Sequence, residues 1–194
     1  MRGLAVIAIV LCLLTAPSLA TIMVTLTADQ TVLNYGQSTV VRIWGQGDAA
    51  GLYSLAGDIL ATGDNVLTST GPFTWSGAFS PAFPFSPKTG TAGTDGGWLN
   101  FGSMQTGWGT PDWTFAKASL VDLADYTVTA DSVSGTVTLT LSPKTVSGYK
   151  GLEVDKTSVW GQIVPVSISV VPEPATLSLL ALGGLALIRR RRSA

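Results

Sequence analysis

With 194 residues the chain has room for one domain of ordinary size plus targeting segments, and not for two domains. Only 12% of residues are charged against 46% hydrophobic, with 22 glycines, a balance poor in surface-helix formers and suited to strands and turns. The net charge of -1 hides an acidic body, six basic residues against eleven acidic ones between Thr21 and Val170, which offers no footprint for nucleic acid. There is no histidine, and the lone cysteine, Cys12, lies in the N-terminal apolar run, so Ser-His-Asp triads, cysteine nucleophiles, disulfides and ordinary zinc sites are excluded.

The chain opens with a short positive start, Met1-Arg2, then an apolar core from Leu4 to Leu14 and small residues around Ser18 and Ala20. These are the parts of a secretory signal peptide, residues 1–20, forming a signal helix that signal peptidase removes after Ala20 once the secretion machinery has engaged it. Thr21–Ala28 then alternates Ile22, Val24 and Leu26 with polar neighbours, a period-2 strand. Asp29-Gln30 and Asn34-Tyr35-Gly36 are turn chemistry. Gln37–Trp44 predicts a second strand with Val41 and Ile43 on one face, and Gly51–Leu60 a third, closed by Gly63-Asp64-Asn65.

Between Gly71 and Trp113 prolines and glycines mix with aromatic residues. Short strands are expected around Phe73–Phe79 and Trp98–Met104, with a long loop near 80–97, because proline and glycine are unsuited to ladder interiors. Phe115–Val121 fits either a strand or a short helical turn. Tyr126–Val133 and Gly135–Leu141 alternate, the second with Val137, Leu139 and Leu141 inward, and Ser132–Gly135 between them suggests a hairpin. Leu152–Val154 and Ile163–Val170 follow, the latter interrupted by Pro165, which argues for an edge or a bulge. About nine strands at this spacing predict an all-β fold, an antiparallel, jelly-roll-like β-sandwich over residues 21–170.

The tail, residues 171–194, has three parts in order. Pro172-Glu173-Pro174 brackets a carboxylate with prolines. Residues 175–188 carry no charge, and as a helix they span ~21 Å, short of a ~30 Å hydrocarbon core but a workable short transmembrane helix with local thinning. Arg189, Arg190, Arg191 and Arg192 then form a stop that stays cytoplasmic, leaving Pro172–Pro174 on the exported side. Val171-Pro172-Glu173-Pro174-Ala175, the short Leu/Ala/Gly run and the four arginines together resemble the PEP-CTERM sorting tail of exported bacterial proteins. The resemblance implies recognition at Pro172, Glu173 and Pro174 by a membrane transpeptidase of the exosortase type, after transient inner-membrane anchoring, with delivery to the cell envelope or exterior. It further implies a host that often makes exopolysaccharide, a candidate further partner.

A second resemblance rests on Gly36-Gln37 leading into Val40-Val41-Arg42-Ile43, and on Ala50-Gly51-Leu52-Tyr53-Ser54-Leu55-Ala56-Gly57-Asp58-Ile59-Leu60. These segments resemble the first half of cohesin-type and related carbohydrate-binding-module sandwiches, although the tyrosine-aspartate pair ahead of the following leucine is missing. The likeness implies the same class of fold.

Few constellations suit chemistry. Glu153 is the only glutamate between Thr21 and Val170, so a glycosidase would need paired aspartates; Asp122/Asp125 and Glu153/Asp155 are the nearest pairs, and solubilising loop charges explain them better. Ser147–Lys150 and Lys88-Thr89-Gly90 match fragments of penicillin-binding signatures in reverse order and read as turns. Asp95-Gly96 and Asp64-Asn65 lack the alternating oxygen ligands of a calcium loop, so no metal or cofactor is expected. Trp75, Trp98, Trp108 and Trp113 are candidates for stacking on sugar rings, against the alternative that they fill the core and pin the long loop. Thr-x-Thr rows at Thr25/Thr27, Thr127/Thr129 and Thr136/Thr138/Thr140 admit an ice-facing array, against ordinary wet strand faces. The expectation is a non-enzymatic structural or adhesive domain of the envelope or extracellular matrix. A carbohydrate-binding module is the alternative, and an aspartate-based hydrolase and an ice-binding protein are weaker readings.

Overall fold

The computed structural model describes residues 22–47, 52–76, 88–104, 120–146, 151–154, 157–158 and 161–173. Every regular element among them is a strand, and the strands form two sheets. The first sheet holds β1 (Ile22–Ala28), β3 (Ser38–Gln46), β5 (Leu67–Ser69), β6 (Thr74–Trp75), β9 (Val121–Ala130) and β13 (Gly161–Val164). The second holds β2 (Val32–Asn34), β4 (Ser54–Gly63), β7 (Thr91–Ala92), β8 (Trp98–Met104), β10 (Gly135–Pro143), β11 (Leu152–Val154), β12 (Thr157–Ser158) and β14 (Val166–Val171). The expected signal helix and short transmembrane helix lie outside the described residues.

Alternation builds the core. Val24 and Leu26 of β1, Val41 and Ile43 of β3, and Tyr126 and Val128 of β9 face inward from the first sheet. Leu55 and Ile59 of β4, Phe101 of β8, Val137 and Leu139 of β10, and Ile168 of β14 meet them from the second. Each fully buried aliphatic or aromatic side chain contributes roughly 1.5–3 kcal/mol relative to exposure. The polar residues between them stay on the wet faces, which is the two-layer solution for sheets with one apolar face each.

Pairing is mostly antiparallel, but the two ends of the domain run side by side. β13 pairs parallel with β1 (Ile22↔Gly161 to Thr25↔Val164), and β14 pairs parallel with β2 (Ser169↔Val32 to Val171↔Asn34). The chain changes sheet between β1 and β2, and again at Pro165 between β13 and β14. Proline has no N–H to give a ladder, so it sits where one ladder ends and the other begins. Of the fourteen strand segments, six have only two or three residues, so eight longer strands carry the sandwich.

Two expectations are corrected. Tyr126–Val133 and Gly135–Leu141 are not a hairpin: β9 pairs with β3, β5 and β6, whereas β10 pairs with β4 and β14. Their apolar faces oppose each other across the core, and residues 131–134 cross from sheet to sheet. The stretch near 80–97 is not loop throughout either. Lys88 bridges to Gly102 and β7 pairs with β8, which extends the second sheet by one short strand.

Candidate functional site

The sorting tail leaves the fold at a defined point. In β14, Val166, Ile168 and Val170 are buried, whereas Ser167 and Val171 point outward, so alternation continues to the last strand residue. Val170 is held from both sides, by Gly135 of β10 and Leu33 of β2. Pairing with β10 stops there, so Val171 is paired only through Asn34 of β2. β2 is pinned in turn by fully buried Leu33, by the Ser169 N–H donating to the Thr31 carbonyl (2.8 Å), and by a tight turn. In that turn the Asn34 N–H donates to Gln37 Oε1 (2.8 Å) and the Gln37 N–H to the Asn34 carbonyl (3.0 Å). Pro172 cannot extend the ladder, and Pro172 and Glu173 are exposed immediately beyond it.

The family comparison decides what this tail is. The PEP-CTERM protein-sorting motif model matches residues 170–192. The chain therefore carries a PEP-CTERM sorting tail. The matched PEP-CTERM segment begins inside β14, at a core residue. The motif implies exosortase-dependent sorting of an exported protein. Pro174 and Arg189 to Arg192, like Ala20 at the other end, lie outside the described residues, so their roles rest on sequence alone.

The domain carried by this tail is similar in fold to cohesin modules. The seventh ScaB type I cohesin from Pseudobacteroides cellulosolvens matches with a TM-score of 0.52 at 15% identity, over 79% of this chain and 94% of that one. A chain of the CaDoc0917–CaCohA2 complex matches with a TM-score of 0.52 at 13% identity, over 76% and 99%. The cohesin module of a family 33 glycoside hydrolase from Clostridium perfringens gives 0.49 at 11%, over 79% and 99%. At such identities the likeness shows the fold alone. No curated protein matches the chain in sequence.

Two of the four tryptophans singled out for sugar stacking are core residues. Trp75 and Trp98 are each 6% exposed and pack around Phe73 with Phe101 and Tyr126. Phe73 lies 5.2 Å from Trp75 edge-on, 5.6 Å from Trp98 and 5.0 Å from Phe101 in a stack. No sugar ring can reach faces that are covered in this way. The Trp98 indole N–H donates to the Thr89 carbonyl and that of Trp75 to the Lys88 carbonyl (3.4 Å), so both rings pin the segment that begins at Lys88. Trp108 and Trp113 lie outside the described residues. Burial raises the Tyr126 phenol well above its ordinary range and keeps it a donor, here to the Gly96 carbonyl at 3.0 Å. Gly96 accepts its place in that turn through a φ of +82° that side chains disfavour.

The threonine rows do not converge on one surface. Thr25, Thr27, Thr127 and Thr129 belong to the first sheet, where β3 separates them, and Thr136, Thr138 and Thr140 belong to the second. Many of their hydroxyls bind across strands: Thr129 with Ser38 and Thr70 (2.8 Å each), Thr136 with Ser169 (3.0 Å), Thr138 with Ser167 (2.9 Å). Thr27 Oγ1 accepts from the Trp44 indole at 2.8 Å.

The carboxylates are distributed among structural tasks. Asp29 chelates Arg42, with the second contact at 3.1 Å, and raises the guanidinium pKa further. Asp58 accepts the Asn100 N–H at 2.7 Å and pairs with Lys144, capping a bulge where Leu99 and Asn100 face Asp58 between the Gly57↔Phe101 and Ile59↔Trp98 pairs. Among the described residues no three acidic, histidine or cysteine groups come together as a metal cage. An open concavity of about 510 Å³ is lined by Lys88, Thr89, Thr91, Asn100 and Thr145 among others, and one of about 210 Å³ contains Asp29 as its sole carboxylate. Neither presents a carboxylate pair.

Asp122 is the exception. One of its oxygens is buried without a hydrogen-bond partner, and its pKa is raised by partial burial and then by neighbouring Asp125, against the pull of Arg42. A raised carboxyl pKa means the folded state holds its proton longer than the unfolded chain. The resulting cost is absent below the ordinary pKa of 3.8, grows as pH rises through the window above it, and is constant beyond the folded value. Asp122→Asn is expected to raise thermal stability at neutral pH by less than about 1 kcal/mol, since exposure screens the charge. The gain should vanish near pH 3, as melting curves at several pH values would show.

Proposed function

We propose that this chain is an exported, non-catalytic β-sandwich of structural or adhesive role, anchored briefly in the inner membrane by its tail and delivered to the cell envelope or exterior by an exosortase-type transpeptidase. The observation that carries the reading is the position of the PEP-CTERM motif, which leaves the last strand of a cohesin-like domain with Pro172 and Glu173 exposed. That fold is a binding scaffold in at least one neighbour, which was captured in a complex, and the reading extends to a protein or matrix partner for this domain.

Replacing Pro172, Glu173 and Pro174 together by alanine tests the route. The exported protein should stay in the membrane fraction, with release reduced by at least about tenfold, while the melting temperature of the domain is unchanged because its last strand ends at Val171. Unchanged release would reduce the tail to a plain anchor. Fractionation and immunoblotting of the full chain in a host with the sorting enzyme give the answer.

A further inference from the structure

The boundary between domain and motif carries more than an address. Recognition of an extended segment uses its main-chain N–H and carbonyl groups. On the upstream side those groups are already engaged. The Val170 backbone lies between β10 and β2, its side chain is 2% exposed, and Val171 is paired with Asn34. Only three residues, Pro172, Glu173 and Pro174, separate Val171 from the uncharged run that begins at Ala175, a reach of at most about 11 Å.

From this geometry we infer that β2 is a clamp that holds the substrate strand closed and so sets the pace at which the domain is released. The inference rests on the reading of Pro172–Pro174 as the processing site and adds a positioning element to it, with Leu33 as its anchor. Among the described residues of the motif, only Pro172 and Glu173 lie beyond the strand pairing. The enzyme reaches Val171 and Val170 when the β2–β14 end opens, a local event that need not unfold the rest of the sandwich. β2 is built for such opening. It has three residues, it lies at the sheet edge, Val32 on it is 59% exposed, and a single buried side chain, Leu33, ties it to the core.

The experiment follows release of the full chain by pulse-chase in cells containing the sorting enzyme, with the C-terminus of the released product read by mass spectrometry. A flexible Gly/Ser spacer of about ten residues inserted between Val171 and Pro172 leaves the fold untouched and supplies free upstream backbone. It should speed release at least about fivefold, the effect of removing an opening step. Leu33→Ala should speed release of the parent but add nothing in the spacer background. Ile43→Ala, a core change in the first sheet remote from the clamp, should not reproduce that pattern. The released product should retain Val171 in every case. Equal release rates with and without the spacer would overturn the clamp and leave the sorting tail standing. A released product ending before Val171 would also overturn it. Release that ignores replacement of Pro172–Pro174 would overturn the processing site and the clamp together.

Discussion

Trp98→Ala is expected to destabilise the domain by about 3–5 kcal/mol, the cost of removing a large buried aromatic side chain. Trp98 contacts Phe73 at 5.6 Å and Tyr126 at 5.4 Å, and its indole N–H holds the Thr89 carbonyl. Truncation therefore removes ring packing and leaves a carbonyl without its donor, and the hydrogen-bond loss adds about 1 kcal/mol. Against a total stability of roughly 5–15 kcal/mol for a domain, this single change takes a large share. Denaturant titration of the domain is the measurement, with the midpoint falling at unchanged slope. The same variant separates the two meanings a tryptophan can have. A glycan-stacking residue loses retention on an affinity gel while the domain stays folded; Trp98 should lose the fold, with retention changing only as far as the folded fraction does.

That ambiguity shows what the sequence can carry. Strands in which alternation is unbroken are legible: Ile22, Val24 and Leu26 in β1, Val41 and Ile43 in β3, and Val137, Leu139 and Leu141 in β10 are all buried. β9 is less so, because a bulge at Ile43/Trp44 buries Leu123 and Ala124 in succession and breaks the period, so the strand reads as beginning at Tyr126 when it begins at Val121. β2 and β5, with three residues each, have no periodicity to detect; they exist because a partner strand offers them a ladder. A turn such as Ser132–Gly135 has the same composition whether it joins two strands of one sheet or crosses between two. Trp75 and Trp98 similarly read the same as ligand platforms or as core, since an indole suits both, and only the rings of Phe73, Phe101 and Tyr126 around them decide. The tail is different. Its signal is local in sequence, and its three parts need no tertiary contact to be recognised.

Where the two kinds of signal overlap, neighbouring residues should behave as opposites. Val170 and Val171 are both within reach of the sorting motif, and Val170 is its first matched residue. In the fold, Val170 is 2% exposed and packed in the core, whereas Val171 is 37% exposed and faces out. Val170→Asp would bury an unpaired carboxylate, at a cost of about 4–5 kcal/mol or more, and should leave most of the domain unfolded and degraded. Val171→Asp should stay within about 0.5 kcal/mol of the parent, as an exposed substitution does. Thermal melts of the exported domain with both substitutions check the contrast, and similar melting temperatures would contradict the register of β14. The difference matters for any reading of the tail by mutation. A defect at Val170 reports on the sandwich even though the residue belongs to the sorting motif. A defect at Pro172 or Glu173, beyond the end of β14, reports on sorting. The boundary between cargo and address therefore runs through the peptide bond after Val171, two strand residues inside the segment that the sorting motif covers.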